Sequence, residues 1–180
     1  MKEILFFSNN TNKVVEVTQL FSLSAFKILS LKNFKNINSP VESGNTFEEN
    51  ANIKSIYGLK KFNLMCFADD SGICIDSLEG KPGVNSKDYL EKNNNQNTCL
   101  KKIINESKNQ NVFSAFFQTT ISLSINKNQQ ILFTGKINGS ISKEIRGSSG
   151  FGYDPIFIPN DHNKTFAEMR SEEKNKISHR

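Results

Sequence analysis

Apolar and polar positions divide the chain into short elements of two kinds. Residues 2–7, KEILFF, form an apolar run of strand length, and SNNTNK (8–13) follows as a polar turn. Val14, Val17 and Phe21 recur at helical spacing, and KILSL (27–31) predicts a second strand. In TFEE (46–49), Thr46 followed three positions on by Glu49 is a capping box, which predicts a helix running to about Phe62. LMCFA (64–68) reads as a buried strand and SLEGKPG (77–83) as a loop. EKNNNQN (91–97) reads as a polar spacer before a helix carrying Leu100, Ile103 and Ile104. From 112 to 125 the alternation is strict, with Phe113, Ala115, Phe117, Thr119, Ile121, Leu123 and Ile125 on one face of a half-buried strand. NKNQQ turns that strand into a second one, 130–137, as a hairpin. A glycine-rich segment, GSSGFGYDP (147–155), leads to IFIP; TFAE (165–168) repeats the capping box, and SEEKNKISHR begins a final helix. No repeat or linker interrupts this order, so one mixed α/β domain is expected over residues 1–180.

Composition narrows the class of partner. Hydrophobic residues make up 36% of the 180 and Phe alone contributes 15, which favours a packed core over disorder. Cys66, Cys74 and Cys99 are odd in number and fit no metal spacing, so they read as thiols of a reducing, cytoplasmic compartment. The N-terminus turns polar too soon for a signal peptide, and no window has the apolar length of a membrane span. A formal net charge of +5 suits anionic ligands. The lysines are scattered and no RNA-binding signature is present, which favours a small phosphorylated ligand over nucleic acid.

Four segments carry candidate chemistry. In ADDSG (68–72) two adjacent carboxylates end an apolar run; like charges so close raise one another's pKa unless a cation shares the site. A hard divalent cation, Mg²⁺ for preference, would suit such carboxylates beside phosphates, while Asp-Ser-Gly is also common turn chemistry. Neighbouring side chains on an extended strand point to opposite faces, so one of Asp69 and Asp70 faces a site and the other supports the turn. The strand-to-helix turn Ser8–Lys13 offers backbone N–H groups for phosphate, with the Lys13 charge and the Asn10 amide in support; an ordinary capped loop has the same pattern. The glycines of GSSGFGYDP permit close backbone approach, and Phe151 could stack on a base; a tight turn with two core aromatics is the plainer alternative. His179 and Arg180 could hydrogen-bond a base or phosphate, or be solvated surface.

These segments stand in the order found in one family. SNNTNKVVEV, ESGNTFEENANIKS, ADDSGICIDSLEGKPGVNS, SGFGYDPIF and TFAEMRSEEKNKISHR together closely resemble the inosine triphosphate pyrophosphatase family, house-cleaning enzymes of deaminated purine nucleotides. The resemblance implies an elongated, two-lobed α/β domain around a long mixed β-sheet with flanking helices. It also implies a homodimer, with Mg²⁺ as cofactor and hydrolysis of ITP, dITP and XTP to the monophosphate and pyrophosphate. By position, Asp70 resembles the family's proton acceptor and metal-site residue, and Glu42 a second acid near the metal. Ser71 matches a substrate contact. Ser8, Asn9, Asn10, Thr11, Asn12 and Lys13 match the triphosphate-gripping loop, and Phe151, Gly152, Tyr153 and Asp154 the base-stacking segment. Lys174, His179 and Arg180 match contacts to the nucleotide and its base; a 6-oxo purine presents Arg180 with an acceptor where adenine presents a donor.

The chain departs from the family pattern in reading Ser8-Asn9-Asn10 for Thr-Gly-Asn, Val41-Glu42 for paired acids, and Asn85-Ser86-Lys87-Asp88-Tyr89 where an arginine is usual. The family's final helical stretch is expected to be absent after Arg180. The related septum-formation-type pyrimidine nucleotide pyrophosphatases and an inactive nucleotide-binding remnant are the alternative readings.

Overall fold

The computed structural model describes every residue except Met1, Asn36, Asn93 and Asn94. The spacer expected at 91–97 therefore falls partly outside the described residues. Among those described, the strands form a six-stranded mixed sheet in the order β2-β1-β3-β4-β5-β6. β1 (Lys2–Phe6) runs parallel to β2 (Phe26–Ser30) and to β3 (Cys66–Ile75). β4 (Ser114–Asn126) and β5 (Gln129–Ile141) form the hairpin expected from the alternation, and β6 (Phe157–Pro159) is antiparallel to β5. Helices α1 (Thr11–Leu20), α2 (Phe47–Phe62), α3 (Ser86–Glu91), α4 (Gln96–Gln110) and α5 (Ser171–Ile177) flank it.

The chain divides into two compact units, and β3, β4 and β5 each contribute to both. The first holds the residues up to Asp70 with Thr120–Thr134. Strand alternation organises its core. On one face of the sheet Leu5, Phe7, Cys66 and Ala68 pack with Tyr57, Leu59 and Phe62 of α2; on the other, Ile4, Phe6 and Phe67 pack with Val14, Val17 and Phe21 of the α1 segment. Phe67 stacks between Phe6 and Phe21, with ring centroids at 4.8 and 5.8 Å. The second unit, Ser71–Thr119 with Gly135–Arg180, encloses Ile73, Ile75, Leu100, Ile103, Phe117 and Phe157.

Three expectations need correction. β3 does not end at residue 68: it continues through both aspartates, Ser71 and Gly72 to Ile75, so Asp-Ser-Gly is strand and not turn. SLEGKPG is not structureless, because Asp76–Leu78 forms a 3₁₀ turn and a cis Lys81–Pro82 bond leads into a second, Gly83–Asn85. The face of β4 expected to be polar and solvated is buried along Ser122 and Ser124, while Ile121 and Leu123 are only partly covered. The reason is local. Ser55 of α2 hydrogen-bonds Ser122 at 2.7 Å and Ser124 at 3.0 Å, and Gln130 donates to both, so a serine cluster satisfies the polar groups a helix would otherwise strand.

Candidate active site

The residues expected to form the site fall into two sets, one in each unit. The first is built on β3 and α2. Thr46 caps α2, accepting from the Glu49 N–H at 3.1 Å. Glu49 reaches back to the N–H of Asn45 at 2.6 Å, one residue before the capping-box partner. From there the helix buries Phe47, Asn50, Ala51, Lys54, Ser55 and Gly58, a face at i, i+3, i+4 spacing that carries an amide and an ammonium inward. Asn50 Oδ1 accepts from the N–H of Gly44 at 2.8 Å. A Cβ at Gly44 would stand 2.6 Å from Glu49 Cβ, so the glycine lets the segment carrying Glu42 lie close against α2.

Lys54 is the hub. Its Nζ donates to Glu42 Oε2 at 2.7 Å and to Asp70 Oδ1 at 3.0 Å, and Asn50 Nδ2 donates to Asp70 Oδ2 at 3.3 Å. One peptide unit earlier, Asp69 accepts from Lys13 Nζ at 2.8 Å. Strand geometry separates the two acids: Ala68 and Asp70 follow the face that meets α2, Phe67 and Asp69 the face that meets α1. Asp69 therefore supports a lysine and not a turn. Among the described residues of this cluster, three carboxylates (Glu42, Asp69, Asp70) meet two ammoniums (Lys13, Lys54), an excess of one negative charge. That excess and burial act together. Burial pushes the Asp70 carboxyl above its ordinary range, against the opposing pull of Lys54 and Lys13. For Lys54, burial works downward, but the attraction of Asp70, Asp69 and Glu42 outweighs it and raises the ammonium.

The loop expected at Ser8–Lys13 is in part helix. Asn10 is the N-cap of α1, its Oδ1 accepting from the N–H groups of Asn12 at 3.0 Å and Lys13 at 3.2 Å. Thr11, Asn12 and Lys13 form the first helical turn, so two of the amides expected to meet phosphate are bonded to the cap. Ser8 Oγ accepts from the Asn10 N–H at 3.2 Å, and Asn9 donates to Ser39. Ser8, Asn9 and Thr11 border a cavity of about 300 Å³ that is also lined by Leu31, Phe34 and Ile37.

The second set is built around Asp154. Its Oδ2 accepts from Lys174 Nζ at 2.7 Å and from the Phe151 N–H at 2.8 Å, and both charged side chains are buried. Gly150 has φ +73, and a Cβ there would lie 2.1 Å from Asp154 Oδ2. Lys174 Nζ stands 5.0 Å from the Phe151 ring centroid and the Arg180 guanidinium carbon 5.8 Å from it. Tyr153 is a core residue, donating from its hydroxyl to the Ser86 carbonyl at 2.7 Å, and burial lifts its phenol well above the ordinary range. Gln96 Nε2 donates to the carbonyl of Gly152 at 2.7 Å. Ser71 hydrogen-bonds Thr119, and Arg180 Nη2 lies 3.5 Å from Ser71 Oγ.

His179 is buried and stacked on Phe117, with centroids 4.7 Å apart and planes 6° apart. The segment expected to begin a final helix is a helix of seven residues, α5, after which Ser178 turns extended and carries His179 and Arg180 back into the unit. Asp76 opens a 3₁₀ turn and accepts from Ser114, a structural part. Lys54, Asn50 and Thr119 were not singled out from the sequence. The pair Asn50/Lys54 did carry a signal, since polar residues four apart share a helix face with Phe47 and Ala51.

Glu42 and Asp70 converge on one ammonium and the cluster keeps a negative excess, which is a donor set suited to Mg²⁺. Mg²⁺ binds through one or two carboxylates completed by water and phosphate oxygens. Among the described residues no group of three or more His, Cys, Asp or Glu side chains forms an all-protein metal cage, and no helix is long and apolar enough to cross a membrane.

The sequence profile of the Ham1 family matches residues 4–180. A dITP/XTP pyrophosphatase of Flavobacterium psychrophilum is 42% identical over 99% of this chain and 93% of its own length. One from Christiangramia forsetii is 41% identical over 99% and 93%. The structure of a HAM1 protein from Coxiella burnetii superposes with a TM-score of 0.89 at 37% identity, covering 100% of this chain and 93% of that one.

Proposed function

The chain belongs to the Ham1 family, and on that premise we propose that it hydrolyses the triphosphates of deaminated purines, ITP, dITP and XTP, to the monophosphate and pyrophosphate. The observation that carries this reading is the buried Lys54–Asp70 pair, joined by the exposed Glu42, beside the Lys13–Asp69 pair. Lys13 and Lys54 are cations for the polyphosphate. Asp70, with a carboxyl already raised by burial, takes a proton from the water that attacks the α-phosphorus. The new P–O bond forms as the bond to the β-phosphate oxygen breaks, and pyrophosphate leaves with its electron pair. Glu42 and Asp70 would hold Mg²⁺, which when bound supplies charge neutralisation to the phosphate oxygens.

For the base, Phe151 offers a ring to stack on, with Lys174 beside it and Arg180 as donor to a 6-oxo group. An adenine 6-amino group would set a donor against the Arg180 guanidinium, a mismatch that discriminates strongly. The same reading includes a cytoplasmic homodimer. Cys66, Cys74 and Cys99 are free thiols, and Ile131, Leu132 and Phe133 of β5 leave apolar surface exposed for a second copy. Sedimentation at two protein concentrations tests the dimer. Pyrophosphate release from ITP, XTP, GTP and ATP with Mg²⁺, before and after Asp70→Asn, tests the reaction. Turnover of ITP and XTP but not ATP, abolished in the variant, is expected; equal cleavage of ATP, or full activity of Asp70→Asn, refutes it.

A further inference from the structure

β3 carries two adjacent aspartates, and the reaction above employs only the second. We propose that Asp69 is a positioning residue, whose carboxylate holds the Lys13 ammonium oriented before any ligand arrives. This rests on the reading of Lys13 as a polyphosphate contact.

Two observations and one physical argument support it. Asp69 follows Phe67 on the strand face that packs against α1, and Phe67 is locked between Phe6 and Phe21, so the carboxylate projects from a fixed backbone toward the first turn of α1. The Lys13–Asp69 contact is 2.8 Å, with side chains only 14% and 2% exposed, a shielded pair and not a screened surface one. Lysine has a flexible four-carbon stem whose rotamer freedom is lost when it grips a ligand. A buried aspartate has already removed that freedom, so the ammonium meets phosphate preorganised.

An ammonium has three donors, and one bond to Asp69 is compatible with others to phosphate oxygens. The opposite role is a competitor that withholds Lys13 from phosphate. The two roles predict opposite signs when the carboxylate is neutralised, because a competitor's loss tightens binding.

The test is a cycle of Asp69→Asn, Lys13→Met and the double variant in the full chain, titrated with inorganic tripolyphosphate in Mg²⁺ buffer by calorimetry. Asp69→Asn is expected to weaken tripolyphosphate about tenfold and to raise KM for ITP by a similar factor, with kcat changed less than about threefold. On the Lys13→Met background the same substitution should no longer weaken binding. Equal weakening in both backgrounds, tighter binding of Asp69→Asn, or no tripolyphosphate binding by the unmodified chain overturns the proposal. Asp69→Ser is the second variant should the amide impair folding; stoichiometry reports the folded fraction while Kd does not depend on it. A protein that binds tripolyphosphate with this coupling but leaves ITP intact would refute the reaction and leave the role of Asp69 standing.

Discussion

Replacing Lys54 with methionine keeps most of the stem and removes the charge at the centre of the cluster. Its two bonds have different worth. Glu42 is 45% exposed on its side chain, so that pair contributes at most about 1 kcal/mol after solvent screening. Lys54 and Asp70 are each only 11% exposed, and removing one partner of a buried pair costs about 3–5 kcal/mol by stranding the other charge. Lys54→Met should therefore lose about 3–5 kcal/mol in metal-free buffer, a large part of the roughly 5–15 kcal/mol that stabilises a typical domain. Urea unfolding measures it, with and without Mg²⁺. A divalent cation held by Glu42 and Asp70 would restore positive charge where the ammonium was, so Mg²⁺ should stabilise the variant more than the unmodified protein. The pH dependence has a definite sign. Without Lys54 the folded-state pKa of Asp70 rises further above its unfolded value, so the contribution of Asp70 to the variant's stability is present at acidic pH and lost as pH climbs through the carboxylate range. A loss under about 1 kcal/mol, or equal Mg²⁺ stabilisation of both proteins, would falsify the charge accounting.

Two further outcomes follow from other parts of the chain. Gly150→Ala forces a side chain onto φ +73 and against the Asp154 carboxylate; a cost of about 2–3 kcal/mol should lower the thermal midpoint by roughly 5–10 °C and raise KM for ITP, and an unchanged midpoint refutes the close approach. Burial pushes the Cys66 thiol up to about 12 from an ordinary value of 9.0, so native Cys66 should resist a thiol reagent that labels half-buried Cys74 first. Its raised pKa contributes stability that is intact below pH 9.0 and is lost as pH rises toward 12, about 2 kcal/mol by roughly pH 10.5, and Cys66→Ala should remove that alkaline slope. Equal labelling of Cys66 and Cys74 in the native protein refutes both statements.

The sequence was most informative where one physical rule dominates. Period-two alternation located β4, and Thr46 with Glu49 located the start of α2, because each pattern is set within a few residues. It was least informative where burial comes from another element. Ser122 and Ser124 look like the solvated face of a hairpin, and only the approach of Ser55 on α2 makes them interior. The end of β3 is hidden in the sequence for a related reason: Asp69, Asp70 and Ser71 resemble turn chemistry when their partners Lys13, Lys54 and Thr119 are far along the chain. Lys54 itself sits in a helix of weak amphipathicity, where an inward lysine differs from a solvated one only by what faces it.

Two consecutive acids in a buried strand are tolerable for a reason the alternation makes plain. Side chains of neighbouring strand residues diverge, so Asp69 and Asp70 do not share one desolvated volume; each meets a lysine from the helix on its own face of the sheet. With Glu42 drawn to the same ammonium as Asp70, the balance still falls one positive charge short. A polyphosphate entering alone would deepen that deficit. On the proposed reaction, a cation brought in with the triphosphate would offset that deficit, and Glu42 and Asp70 are the carboxylates that would receive it.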